Sequence, residues 1–256
     1  MGFRYVDLAE AQTLDGLRMV VVSGAPSLWG EAAKGLFQVK GLDFAAVRLT
    51  YDDPALKAWA GQRNAPVVVY GQERPRAGWV DILLLAERLA PMPALLPADP
   101  ALRALTLGLS HEICGEEGLG WTRRLQLIHG GLTGGAGFLA PVAQYLAKKY
   151  GYRSEAAAGY GDRTIALLTM LAERLAAQKD RGSSYFVGDG LTAVDIYSAT
   201  AMAMFDPLPE ADCAMDPATR AAFSTLDEAT RAALDPILLD HRDRMYAEVL
   251  ERPLSL

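Results

Sequence analysis

Asn64-Ala-Pro-Val-Val-Val-Tyr70 puts a proline at the head of a β-branched apolar run. Proline has no N–H to give a sheet, so the run reads as a strand that starts at Pro66 and ends at Tyr70. A cis bond at Ala65-Pro66 would explain the placement, and an ordinary strand-initiating trans proline is the alternative. The cis form would leave the N–H and C=O of Ala65 unpaired, able to take an extended peptide as one more strand.

Upstream of this strand the pattern alternates. Arg18-Met-Val-Val-Val22 is a buried strand entering the turn Ser23-Gly-Ala-Pro26. Leu28, Ala32, Ala33, Leu36, Phe37 and Val39 recur at helical spacing, with Ser27 as N-cap and Lys40-Gly41 closing the helix. Phe44 to Leu49 reads as a second strand and Pro54 to Gln62 as a short helix. Downstream, a segment with Pro75 has the character of an edge strand, and Trp79 to Leu89 returns to helical period. The order is βαβαββα. Pro91, Pro93, Pro97 and Pro100 then exclude a helix and mark a linker. Beyond it the apolar spacing is helical throughout, and roughly five to seven helices are expected. They include 101–116, 121–130, 138–150, 160–179, 192–205 and 236–251. The expected organisation is an α/β unit at 1–90, a linker at 91–100 and an all-helical bundle at 101–256.

Composition narrows the function. Half the residues are hydrophobic (51%) and 22% are charged, enough apolar material for two cores. Net charge is −6 with scattered Lys and Arg, so no basic stripe exists for nucleic acid. Cys114 and Cys213 stand apart, outside any disulfide framework or zinc spacing, which fits a reducing compartment. The first residues lack a signal-peptide pattern, and no apolar run reaches the ~18 residues a membrane helix needs. A cytoplasmic protein with no membrane partner and no metal is the expectation.

Gly188-Asp-Gly-Leu-Thr-Ala-Val-Asp-Ile-Tyr197 sets Thr192 and Asp195 at capping-box spacing, so helix initiation explains Asp195 better than acid–base chemistry does. With the proline-led strand and the proline-rich linker, the segment Phe186-Val-Gly-Asp-Gly-Leu-Thr-Ala-Val-Asp-Ile196 resembles the glutathione transferase superfamily, as a divergent, bacterial-type member. The resemblance covers most of the chain. It implies a thioredoxin-like domain plus a helical domain, a homodimer, glutathione as co-substrate and a cis proline at Pro66. It also implies a thiolate-stabilising residue at the start of the first long helix. Counting back from Lys40-Gly41 reaches Ser27, with Ser23 the neighbouring candidate. A helix start offers positive partial charge and free donors for such a thiolate.

The same resemblance places glutathione against Asn64, Ala65 and Pro66. The acidic residue and serine that usually hold its γ-glutamyl group align here with Ala77 and Gly78. The N–H groups of Gly78 and Trp79 would then have to receive the carboxylate, with Arg74 or Arg76 supplying charge. Trp29 reshapes the pocket. In the polar, glycine-interrupted segment Ser110 to Arg124, the residues His111, Trp121 and Arg124 are candidates for the second-substrate pocket.

Other motifs read as structure. His111 and Cys114 share a helix face but make no metal site alone. His129-Gly-Gly-Leu-Thr-Gly-Gly-Ala-Gly137 lacks the Lys-Ser/Thr of a phosphate loop and reads as a flexible connection. His241, among charged neighbours, reads as part of a solvated face. The leading expectation is transfer of the glutathione thiolate to a hydrophobic or electrophilic small molecule. The alternative, motivated by Ala77 and Gly78, is a non-catalytic binding module that keeps the fold with a degenerate site. Thiol–disulfide reduction is disfavoured because no cysteine lies near Ser27.

Overall fold

The computed structural model describes residues 2–256. It opens with β1 (Phe3–Tyr5) and α1 (Leu8–Thr13), neither of which the sequence reading anticipated. Three residues with Arg4 in the middle carry no periodicity. The strand is held instead by Phe3 stacking on Phe44 and by the Arg48 guanidinium over the Tyr5 ring. Then follow β2 (Leu17–Val21), α2 (Leu28–Val39), β3 (Phe44–Arg48), α3 (Pro54–Ala60), β4 (Val67–Tyr70) and α4 (Trp79–Leu89). The strand order is β1-β3-β2-β4, with β4 antiparallel to β2 and the other pairs parallel. The expected edge strand at Pro75 is reduced to a single bridge, Val68 to Arg76, because the proline leaves no N–H to extend it.

Alternation along the strands sorts the two faces. Met19, Val21, Ala46 and Val68 join the large core with α2 and α4. Val20, Val47 and Val67 face Leu56 and Ala60 of α3 and Ala11 of α1. The α/β unit is thioredoxin-like and the rest of the chain is helical, as expected.

The connection after α4 is pinned rather than loose. Lys40, fully buried at the end of α2, pairs with Glu87 at 2.5 Å and donates to the carbonyls of Ala90 (2.8 Å) and Pro93 (2.7 Å). Leu95 and Leu96 are buried, and the Leu95 carbonyl accepts from Ala193 N–H. The helical region comprises α5 (Pro100–Cys114), α6 (Leu119–Leu132), α7 (Ala140–Tyr150), α8 (Ala157–Asp180), α9 (Ala193–Ala201), α10 (Pro217–Ser224), α11 (Glu228–Ala233) and α12 (Pro236–Glu248). The two unforeseen helices, α10 and α11, are too short to show periodicity. Their signal was in the caps, Asp216-Pro217 and Asp227.

Two local readings are corrected. α6 runs through Gly130 and Gly131, and a Cβ at either would meet the carbonyl of Ala136 or Phe138 at 2.0 or 2.1 Å. Those glycines serve close packing, not flexibility. His241 is 4% exposed rather than solvated, edge-on to Phe186 and with Nε2 3.3 Å from the Asp195 carboxylate. That contact is too poorly aligned to count as a hydrogen bond, since Nε2 has no partner by angle. Asp195 itself accepts from Thr192 N–H (2.8 Å), Thr192 O–H (2.9 Å) and Phe186 N–H (3.0 Å), the helix-starting role expected of it.

Candidate functional site

The turn after β2 delivers the chain to the start of α2. Gly24, at φ +74°, makes the bend, and its carbonyl accepts from Asp216 N–H, tying the turn to α10. Ser27 is the N-cap in extended conformation, and its carbonyl accepts from Glu31 N–H at 2.8 Å. Its hydroxyl makes no capping bond, although the side chain is buried. The first turn of α2 therefore has no side-chain cap for its donors; its one acidic residue, Glu31, is turned to an ion pair with Lys34. Ser23 is exposed and lines neither of the cavities described next.

A cleft of about 510 Å³ runs along the head of β4. Asn64, Ala65 and Pro66 line it, and so do Gly78 and Trp79 at the start of α4. The Ala65–Pro66 bond is cis, and the backbone N–H and C=O of Ala65 make no hydrogen bond among the described residues. Gly78 is the uncapped N-terminal residue of α4. Trp29, His111 and Trp121 also line it, with the His111 ring 6.3 Å from that of Trp79. Charge comes from residues the sequence reading passed over. Arg63 lines the cleft, and the Lys149 ammonium donates to Asn64 Oδ1 at 2.7 Å. Lys149 is exposed as a residue; partial desolvation against its neighbours and then the Arg124 guanidinium lower its pKa to about 8. Neither Arg74 nor Arg76 lines this cleft: Arg76 is paired with Glu73, and Arg74 lies 3.7 Å from Asp81.

A second cavity of about 470 Å³ lies on the other side of the α2 start. Ser27 and Arg124 line it together with Tyr51, Phe138, Tyr145 and Phe223, and Arg63 is shared with the first cleft. The partition is an aromatic–cation stack: the Arg124 guanidinium lies 5.2 Å from the ring centres of both Trp29 and Tyr150. Trp29 is fixed by its indole N–H donating to the Cys114 carbonyl at 2.8 Å. The Cys114 thiol is buried, which pushes its pKa well up and makes it an inert neighbour.

The structure thus brings Asn64, Ala65, Pro66, Gly78, Trp79, Trp29, His111 and Trp121 into one cleft, and puts Ser27 and Arg124 on its neighbour. The glycines of the Ser110–Arg124 segment have a packing cause: a Cβ at Gly118 would meet the His111 and Glu112 carbonyls at 2.9 Å, and one at Gly120 would meet Leu28 at 3.0 Å. Lys149 and Tyr150 gave no signal, because a basic residue in the last turn of a helix is ordinary dipole matching. Arg63 was adjacent to the decisive strand but looked like any exposed loop arginine.

No family model and no curated protein matches the sequence. Solved structures do match it along almost its whole length. A glutathione S-transferase from Methylobacterium radiotolerans, in complex with glutathione sulfonate, aligns with a TM-score of 0.60 at 19% identity, covering 94% of this chain and 97% of that one. The chain has the glutathione transferase fold. A glutathione transferase family member from Pseudomonas fluorescens with two glutathione bound aligns at TM-score 0.62 and 15% identity, over 93% and 91% of the two chains. A glutathione S-transferase domain-containing protein from Marinobacter aquaeolei gives TM-score 0.62 at 16% identity, over 90% and 98%. At this identity the shared property of the transferase fold is its architecture. Among the described residues no helix is long and apolar enough to cross a membrane.

Proposed function

We propose that the protein binds glutathione in the cleft along β4 and transfers its thiolate to an electrophilic small molecule seated in the cavity beside Ser27. The observation that carries the reading is the unpaired backbone of Ala65 in a cleft that is also lined by the open N-terminus of α4. An extended peptide finds main-chain partners at Ala65, one carboxylate finds the Gly78 and Trp79 N–H groups, and the other finds Arg63 and Lys149. The chemical task is ionisation, since a free thiol is only a few per cent thiolate at neutral pH. Ser27, on the neighbouring cavity, offers a hydroxyl not used for capping at a helix start with positive partial charge, so a glutathione sulfur that extends from the cleft to Ser27 loses its proton to solvent more readily. The sulfur then attacks the electrophilic carbon: a carbon–sulfur bond forms as the bond to a leaving group breaks and that group departs with the electron pair, or, at a conjugated double bond, as the π pair moves onto the acceptor and is protonated from solvent.

In this reading residues 1–90 are the glutathione unit, 91–100 the connection and 101–256 the unit that completes the second-substrate cavity. The working protein is a cytoplasmic homodimer, and light scattering on the purified protein checks the dimer. Isothermal calorimetry with glutathione tests the binding step. A one-to-one complex per chain that is lost on Pro66→Ala supports it, and no heat at millimolar glutathione removes it.

A specific feature favours the second reading, a binding module without transferase activity. Ala77 and Gly78 give a ligand no side-chain contacts, and the Asp81 carboxylate stands 3.1 Å from where a Gly78 Cβ would lie. A carboxylate there opposes a second one arriving at the same helix start. Binding of glutathione without any turnover of electrophiles is the outcome that selects this reading.

A further inference from the structure

We propose that the cavity beside Ser27 selects an apolar carboxylate, an aryl or branched-alkyl acid, whose carboxylate is received by Arg124 with Arg63. This deepens the transferase reading by naming the chemical class of the second substrate, but the recognition stands on the cavity alone.

The walls are apolar. Phe138 and Phe223 are buried within it, and Tyr51, Val142 and Tyr145 remain 39%, 45% and 38% exposed at its mouth. No Asp or Glu lines it. Against this apolar surface stands a guanidinium with no anion. Arg124 makes no ion pair among the described residues, its Nε is buried without a partner, and its one polar contact is the Met204 sulfur at 3.9 Å.

Arginine cannot shed its proton to relieve this, so the fold retains an unmatched positive charge. The rings of Trp29 and Tyr150 compensate only in part. Arg63 stands 5.6 and 5.7 Å from the Tyr51 and Tyr145 rings, and its only carboxylate, Asp52, is 91% exposed and easily screened.

A neutral apolar ligand would bury Arg124 further with nothing to pair it, at a cost in free energy. A small inorganic anion would satisfy the guanidinium and leave the aromatic walls to water. An acid with an apolar body meets both demands, and arginine offers it a bidentate fork. The volume, about 470 Å³, lies in the range of small-molecule sites.

The test compares 4-phenylbutanoate with 4-phenylbutanamide, equal in shape and differing in charge, by calorimetry and by quenching of tryptophan fluorescence. On the wild-type protein at pH 7 the acid should bind about tenfold or more tightly than the amide, as one charge-assisted hydrogen-bonded pair implies. Arg124→Met should abolish the difference, and Arg63→Met should reduce it by less. Equal affinity of acid and amide for the wild type, or binding of neither at millimolar concentration, overturns the inference even if the Arg124 variant fails to fold. Glutathione binding without acid preference also overturns it and leaves the transferase reading standing. Acid preference without glutathione binding upholds it and removes that reading.

Discussion

Two helix starts in this molecule are built from similar residues and treated in opposite ways. At α9 the donors beside the cap find acceptors within the fold: Asp195, fully buried, accepts from Thr192 N–H and O–H and from Phe186 N–H, and Ala193 N–H donates to the Leu95 carbonyl. At α2 the N-cap Ser27 leaves its hydroxyl uncommitted, and the residue faces a cavity. The chemistry of a helix N-terminus is the same in both, namely unmatched N–H groups and positive partial charge. Where the chain answers them the helix start is a structural joint. Where it does not, the helix start is available to a ligand.

The comparison breaks most visibly at Asp195. Asp195→Ala leaves three buried donors without their acceptor, at about 1–3 kcal/mol each before relaxation, so a net loss of about 3–5 kcal/mol is expected. Urea unfolding measures it. A loss under about 1 kcal/mol would mean that the α9 start is not the joint described here.

Ser27→Ala should do the reverse. With no capping bond to lose, the unfolding midpoint should barely move. Turnover should fall about ten- to a hundred-fold, because a hydrogen bond to a charged sulfur is worth roughly 1.5–3 kcal/mol. Parallel steady-state kinetics and unfolding on one preparation show whether stability or rate responds.

Thr192→Ala should cost about 0.5–2 kcal/mol, the loss of one cap contact while the Asp195 bonds to backbone persist. Selective loss of turnover at an unchanged midpoint would contradict the structural assignment.

The smallest effect concerns pH. The Lys149 pKa is depressed to about 8, so its ammonium is present below that value and lost above it. Glutathione sulfonate, which has no titrating thiol, should bind several-fold more weakly at pH 9 than at pH 7, since the Lys149 contact loses its charge over that range. Lys149→Met should flatten that dependence. A profile rising with pH would exclude an anion contact at Lys149. The same depressed pKa makes this lysine's contribution to folding stability rise between about pH 8 and the usual lysine range, so the deprotonation of Lys149 is not itself a cause of unfolding there.

How much of this was legible in the sequence follows from the range of the interactions. Pro66 at a strand head, the proline run after Leu89 and the Thr192–Asp195 spacing are local patterns, and each corresponds to a feature of the fold. β1 depends on Phe3 meeting Phe44, and the burial of His241 on a partner far along the chain, so neither shows in a local window. The site divides in the same way. Asn64, Ala65 and Pro66 were readable beside their strand. Lys149 reaches Asn64 from α7, and the stack of Arg124 on Trp29 and Tyr150 joins three helices, so only the folded chain reveals that these residues separate two cavities.

The central claim is that the unanswered start of α2 ionises a bound thiol. Ultraviolet absorbance of the glutathione thiolate, followed against pH with wild-type protein and with Ser27→Ala, tests it most directly. The account predicts a bound-thiol pKa at least about one unit below that of free glutathione in the wild type, and a return most of the way toward the free value in the variant. A wild-type curve that overlays free glutathione, or a depressed pKa unchanged by Ser27→Ala, would contradict it.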